Sequence, residues 1–430
     1  MENYIASAVI TGLWGRENER LNFKFNEKFN FIIGRNGTGK TTVINLLAAA
    51  LTADFERLDK IQFSEVLIVL RPKSGRHRPS IQVLKTLKPN LPYFDITYKI
   101  KDSANSEAKT FDLDAFEEER VYRGLPSRAM RERYYRERFI FVQRHLESFV
   151  RVNWLSVHRQ INEVADLRPE ERRTMPPIDQ KLAAMNNQLV RYFSRIATSY
   201  AEETLNFQRA SFLSLISLSN DTDLRSFVGS MNIDEEKKSL ASILDLLGIS
   251  SRQYSRLLDQ VANKFEGARE PFIKSESITI QQLLAIFNSY KAHSLVQAYE
   301  DLQKRKSKIF ATIDIFLSVL NGLLAPRKTA SLSEQNELVI KNKDGAPIQI
   351  EDLSSGEKQL LIILGQALLQ ESAPVIYIAD EPELSLHVDW QEKITSSISE
   401  INPNAQIIFA THSPDIVGPN SDSIIDMEQV

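Results

Sequence analysis

Phe31-Ile32-Ile33-Gly34-Arg35-Asn36-Gly37-Thr38-Gly39-Lys40-Thr41-Thr42 is an apolar run feeding a G-x-x-x-x-G-K-T loop, and the helix-like run Val43 to Leu51 follows. Strand, glycine-rich turn and helix N-terminus together let backbone N–H groups converge on phosphate oxygens. Gly34, Gly37 and Gly39 allow the chain to turn tightly with those groups inward. Lys40 is placed to reach β- and γ-phosphates, and Thr41 to put its hydroxyl on Mg²⁺. Asn36, Gly37, Thr38, Gly39, Lys40, Thr41 and Thr42 are therefore the candidate nucleotide-binding residues. The alternative is a glycine-rich turn beside a surface lysine, and three motifs further along the chain argue against it.

The first of these is Leu353-Ser354-Ser355-Gly356-Glu357-Lys358-Gln359, which opens the apolar helix Leu360 to Leu369. Ser355 and Gly356 at a helix start expose free N–H groups at the positive end of the dipole, which suits a γ-phosphate. The second, Val375-Ile376-Tyr377-Ile378-Ala379-Asp380-Glu381-Pro382, is a buried strand ending in two carboxylates. Successive strand residues face opposite sides, so the two acids have different tasks. Asp380 is the candidate to orient Mg²⁺, and Glu381 the candidate general base for an attacking water. The third, Gln406-Ile407-Ile408-Phe409-Ala410-Thr411-His412-Ser413-Pro414, is a strand that delivers His412, a candidate hydrogen-bond partner of the γ-phosphate. His387, in Glu383-Leu384-Ser385-Leu386-His387, is evenly balanced between a role at a subunit interface and an ordinary histidine at a helix start.

With 430 residues, the chain is long enough for two or three domains. Its 42% hydrophobic and 25% charged residues are those of an ordinary globular protein, and a net charge of −3 gives no global drive toward nucleic acid. The absence of cysteine excludes a disulfide framework and a thiolate metal site, and fits a cytoplasmic location. No apolar run reaching the ~18–20 residues of a membrane span is expected, nor a signal peptide at the N-terminus.

Around the motifs, Ile5 to Ile10, Leu21 to Phe25 and Phe29 to Ile33 read as strands. Between the first two, Trp14 and Arg16 are candidates to stack on a nucleobase, with Trp14 as a core anchor the simpler reading. Val66 to Leu70, Ser80 to Leu84 and Phe94 to Ile100 suggest an antiparallel sheet beside a parallel core, and residues 101–110 a polar loop. Arg128 to Arg138 interleaves Arg with Tyr, as phosphate-backbone contacts do; Glu132 and Glu137 favour a solvated helix face instead. Phe139 to Val142 and Val152 to Val157 are strand candidates that would carry Gln143 and Arg159 toward the nucleotide. From Pro169 to about Pro326 the period changes to three and four, as in Leu182, Met185, Leu189, Phe193 and Ile196. The predicted organisation is a head in two segments, 1–160 and 329–430, around an inserted α-helical domain at 161–328, with a D-G hairpin near Lys343-Asp344-Gly345.

The four motifs together resemble an ABC-type P-loop ATPase head of the SMC/RecF/OLD class, an α/β fold with a mixed sheet. Asp380-Glu381-Pro382-Glu383-Leu384-Ser385-Leu386-His387 and Ala410-Thr411-His412-Ser413-Pro414 are similar to the OLD-like AAA ATPases of bacterial antiphage systems, among them the ATPase subunits of PARIS and Septu. The resemblance implies ATP and Mg²⁺ as cofactors. It also implies a homodimer or higher homo-oligomer in which Ser355 and Gly356 close in trans on ATP held by a second protomer. In such systems the ATPase senses a phage-derived trigger and controls an effector, a nuclease or other toxin encoded nearby. The chain departs from OLD nucleases, whose Toprim domain would follow His412, since about 18 residues remain there. The rival expectation is a DNA-repair or recombination ATPase that binds DNA through Arg128 to Arg138. A membrane transporter ATPase fits less well, since the insert is far larger than a transporter's.

Overall fold

The computed structural model describes residues 3–87, 94–112, 140–155, 175–216 and 224–430. The first segment runs β1 (Asn3–Thr11), a 3-10 turn at Leu13–Gly15, β2 (Arg20–Lys24), β3 (Phe29–Ile33), α1 (Lys40–Thr52), α2 (Phe55–Lys60), β4 (Glu65–Pro72), β5 (Ser80–Leu87), β6 (Phe94–Lys101) and β7 (Lys109–Asp112), then helix α3 at residues 140–147 and β8 (Val152–Leu155). Helices α4 (Pro177–Ile216), α5 (Leu224–Ser230), α6 (Ile233–Leu246), α7 (Ser251–Ile273) and α8 (Ile280–Leu324) follow. The chain returns to strand with β9 (Lys328–Leu332), β10 (Leu338–Asn342) and β11 (Pro347–Ile348). It closes with α9 (Ser355–Leu369), β12 (Val375–Asp380), α10 (Val388–Ile401), β13 (Ala405–Ala410), α11 (Pro414–Val417) and β14 (Ile424–Asp426).

Two compact units emerge, one of residues 1–191 and 312–430, the other of residues 192–311. The first is α/β. Its parallel sheet has the order β14-β3-β13-β12-β8, and its antiparallel sheet the order β2-β1-β4-β5-β6-β7. Helix α1 explains how the two are joined. Its residues are buried on every side, from Val43 through Leu51, which is the pattern of a helix with no solvent face. One apolar cluster holds α1 side chains together with Ile5, Ile68, Ile81 and Tyr98 of the antiparallel sheet and Ile376, Ile378 and Ile408 of the parallel one. Gln406 of β13 is a polar peg across the same seam. Its side chain accepts from Ile5 N at 2.8 Å and donates to Ile5 O at 2.8 Å, where the β1–β4 register shifts. Both backbone groups of Ile5 thereby keep a partner at the irregularity.

The second unit is helical. Its parts of α4 and α8 run antiparallel, with Tyr200 against Phe310 at 5.7 Å, Phe207 against Tyr299 at 6.0 Å, and Arg305 paired with Glu203 at 3.0 Å. A separate core forms from Val228, Met231, Phe265, Ala268 and Ile286.

Two sequence expectations are corrected. The apolar run at Phe139 to Val142 is not a strand: residues 140–147 are helical, and Gln143 is an exposed position on that helix. Length and composition alone would also let one described helix, α8, cross a membrane. The apolar window of α8 is 28% buried, and the helix buries Ile313, Phe316 and Leu320. The strand at Val152 is present as far as Leu155; Arg159, Arg128 to Arg138 and Phe139 lie outside the described residues.

Candidate nucleotide site

The parallel sheet delivers three of the four motifs to one edge. β3, β12 and β13 are parallel neighbours, so their C-terminal ends lie side by side. The loop after β3 carries the glycines, the end of β12 and the turn after it the two carboxylates, and the turn after β13 His412. An open parallel sheet binds its ligands at this carboxyl edge.

Gly37 and Gly39 have φ of 87° and 94°, left-handed values that a side chain would strain. Gly39 is the residue before α1, and its turn aims the helix start into the loop. A β-carbon there would lie 2.0 Å from the Trp14 ring, so the indole lies directly on the phosphate loop. Trp14 is 37% exposed, with the Arg16 guanidinium 5.7 Å above its ring. It is therefore not the core anchor that was the simpler reading of the sequence. Thr38 Oγ1 donates to Arg35 O at 2.9 Å and stiffens the loop.

Lys40 is buried and donates to the Gly34 and Arg35 carbonyls at 2.9 and 3.2 Å. Burial holds its ammonium below the ordinary lysine value, against the opposing pull of Glu381, Asp380 and Glu383. The carboxylates at and after the end of β12 thus act electrostatically on the lysine of the phosphate loop. Thr41 Oγ1 donates to Asp380 Oδ1 at 3.1 Å, so the two oxygens chosen from the sequence for Mg²⁺ are adjacent. Among the described residues, no group of three or more Asp, Glu, His or Cys side chains is arranged to hold a metal ion by itself. The arrangement fits Mg²⁺ held by one or two protein oxygens plus phosphate, since this ion keeps waters and rarely takes an all-protein cage.

Asp380 ends β12 and Glu381 turns out of it at φ 48°, with its N–H on Ala410 O at 2.8 Å. Its Oε1 lies 3.9 Å from His412 Nε2, both side chains more than a third exposed. The candidate base and the candidate γ-phosphate sensor therefore share one opening. Glu383 was not singled out in the sequence. Its Oε1 accepts from Thr411 Oγ1 at 2.7 Å and from His412 N at 2.8 Å. The available signal was a second acid two residues after Glu381, in a turn that has no need of one.

Ser354, Ser355 and Gly356 start α9. Ser354 is the N-cap and forms a capping box with Glu357, which satisfies two of the free N–H groups at the helix start. Ser355 is exposed, whereas Gly356 is buried, with its missing side chain facing Ser385 O at 2.3 Å. Gln359 Nε2 donates to Pro382 O at 2.7 Å. The start of α9 is thus seated on the turn that follows the two carboxylates. Lys328 and Lys358 flank it in ion pairs with Glu357 and Asp179, each at 2.7 Å. Burial pushes the Glu357 carboxyl up, but hydrogen bonds from Lys328 and Ser354 outweigh this and leave it below the ordinary value. His387 caps α10, its Nδ1 accepting from Asp389 N at 3.3 Å, which is the helix-start role.

The chain is similar to the "Retron Vc95 probable ATPase" of Vibrio cholerae serotype O1 biovar El Tor, 26% identical over 256 residues, 55% of this chain and 43% of that protein. It is similar to the "Septu protein PtuA" of Bacillus thuringiensis, 35% identical over 99 residues, 20% of this chain and 24% of that protein. The matches thus span less than half the length of these curated relatives. Among solved structures, an Smc head domain from Pyrococcus furiosus aligns over 99% of this chain and 93% of its own, at 17% identity and a TM-score of 0.42. The family described as "AAA domain, putative AbiEii toxin, Type IV TA system" matches residues 29–418, and the chain belongs to it.

Proposed function

We propose that this chain binds ATP with Mg²⁺, hydrolyses it, and uses the cycle to control a partner effector in antiphage defence. The observation that carries the reading is the 3.1 Å contact between Thr41 and Asp380, with the Lys40 ammonium folded onto the loop carbonyls and Glu381 beside His412. Asn36 through Thr42 hold the phosphates, with Lys40 on the β- and γ-phosphates. Thr41 and Asp380 hold Mg²⁺, which when bound neutralises phosphate charge. Glu381 takes a proton from the attacking water, and His412 hydrogen-bonds the γ-phosphate. Trp14 and Arg16 offer a face for the base.

The head comprises 1–160 and 329–430, and the helical insert 161–328. Two heads pair with Ser355 and Gly356 of each closing on the ATP of the other. Closure or its release by hydrolysis sets the state of a nuclease or other toxin in response to a phage-derived trigger, in the cytoplasm. Similarity to the retron and Septu proteins supports the defence role.

ATP binding by Lys40→Ala tests the site. Removing the charge-assisted contacts is expected to weaken ATP binding by on the order of 100-fold, about 3 kcal/mol. Unchanged affinity by calorimetry would remove the phosphate loop from the assignment. The effector role is tested by affinity purification from the native host with and without phage; a stoichiometric toxin or nuclease that changes on infection is expected.

A further inference from the structure

We propose that Glu383 is a positioning residue for ATP hydrolysis and acts through His412. The proposal rests on the ATPase reading above. The side chain bridges two turns that the parallel sheet brings together. On one side is its own turn, in which Glu381 and Ser385 both take left-handed φ values, 48° and 69°. On the other is the turn after β13, where Glu383 Oε1 accepts from both Thr411 Oγ1 and His412 N. The His412 backbone is thereby tied to the turn carrying Glu381, whose carboxylate lies 3.9 Å from the His412 ring.

A second staple lies alongside. Ser413 Oγ donates to Gln391 Oε1 at 2.7 Å, and Gln391 Nε2 donates to Leu386 O at 2.9 Å. Gln391 needs no charge for this. Glu383 differs in two respects. Its carboxylate is one of the three that act on Lys40. Its Oε2 is buried without a hydrogen-bond partner. A half-satisfied buried carboxylate is a poor choice for stability alone. It suits a residue that must hold the His412 N–H with a charged acceptor, the stronger kind of hydrogen bond. The same turn carries Pro382 and Ser385, on which the start of α9 is seated. Glu383 thus fixes His412 relative to the base and to the element that meets the second protomer's ATP.

The test is steady-state ATP hydrolysis by the full chain in wild type, E383A, E383Q, H412A and the two double variants, with ATP affinity measured separately. E383A is expected to lower kcat roughly tenfold with KM and affinity within about threefold. E383Q keeps an oxygen acceptor of equal reach and should recover part of that loss while staying at least about threefold below wild type. Each double variant should be no slower than H412A, because a residue acting only through His412 has nothing left to position. Losses that multiply in the doubles overturn the proposal, as does an E383Q turnover equal to wild type. If E383A fails to fold, E383Q with its double carries the same comparison. A wild-type chain that hydrolyses no ATP overturns the ATPase reading and this proposal with it; multiplied losses in an active enzyme overturn only the latter.

Discussion

Glu381 occupies a conformation that an L residue adopts at a cost of roughly 1–2 kcal/mol. Its carboxylate lies 3.9 Å from the His412 ring, and the proposed mechanism gives Asp380 the metal and Glu381 the water. Glu381→Gln keeps the shape and the turn but removes the proton acceptor. It is expected to bind ATP as wild type does and to hydrolyse it at least about 100-fold more slowly; rapid-quench turnover near wild type would take Glu381 out of that role. Lys181 supplies a pH dependence. Burial pushes its ammonium down to about 8 from 10.5. A depressed lysine penalises the fold wherever the folded state must still be protonated. The cost is fully present at neutral pH and is relieved as pH rises from about 8 toward 10.5. Wild-type stability should therefore rise between about pH 8 and 10.5 more than that of Lys181→Met. Denaturant titrations at pH 7 and pH 10 check this, and a difference between the two proteins that is the same at both pH values would refute the account.

At the scale of elements, α9 shows how the head is wired. Its first turn is held on one side by Lys358–Asp179, with Asp179 in the first turn of α4. On the other side Lys328, four residues beyond the last residue of α8, holds Glu357. Both long helices thus root at the motif that carries Ser355. All four side chains are mostly buried, so removing one charge strands its partner. Asp179→Asn is expected to cost about 2–4 kcal/mol in thermal or chemical unfolding. Because Asp179 makes no contact with the phosphate loop among the described residues, ATP affinity should be retained while turnover falls. An equal loss of both would show only general unfolding. The start of α9 was legible in Leu353-Ser354-Ser355-Gly356, and most strands of the head were legible from alternation and from apolar runs ending at motif residues; β7, which begins inside the expected polar loop at 101–110, and β14 were not. Helix α3 was not. Phe139-Ile140-Phe141-Val142 is a short apolar run, for which periodicity cannot separate strand from helix. The deciding signal lay further on, in Val142 and Leu146, buried one helical turn apart, with Phe149 and Val150 buried just past the helix end. Strand order was equally out of reach, because β8 joins the sheet beside β12, more than 200 residues later, through contacts no local pattern encodes. Glu383 escaped for a related reason: its task exists only once β12 and β13 are neighbours.

For the whole molecule, what matters most is how the sheet edge and the start of α9 are mounted. The phosphate loop, Asp380, Glu381 and His412 share the carboxyl edge of one sheet. Ser355 stands exposed at the start of α9, on a helix whose first turn is fixed from below by Gly356 against Ser385 and from the sides by two ion pairs. So rigid a mounting for an exposed serine is what a docking element needs, since ordering costs are met before the partner arrives. Ser355→Arg places a long cation where a second copy's nucleotide would lie, and changes nothing around Lys40. In a Glu381→Gln background, sedimentation velocity with ATP and Mg²⁺ should show a dimer, and the added Ser355→Arg a monomer. ATP affinity of the monomer should stay within about threefold, because the phosphate loop makes its own contacts. A dimer that survives the arginine would place the association surface elsewhere and leave α9 without its role in trans. A monomer that also loses ATP would mean that Ser355 serves the nucleotide of its own chain.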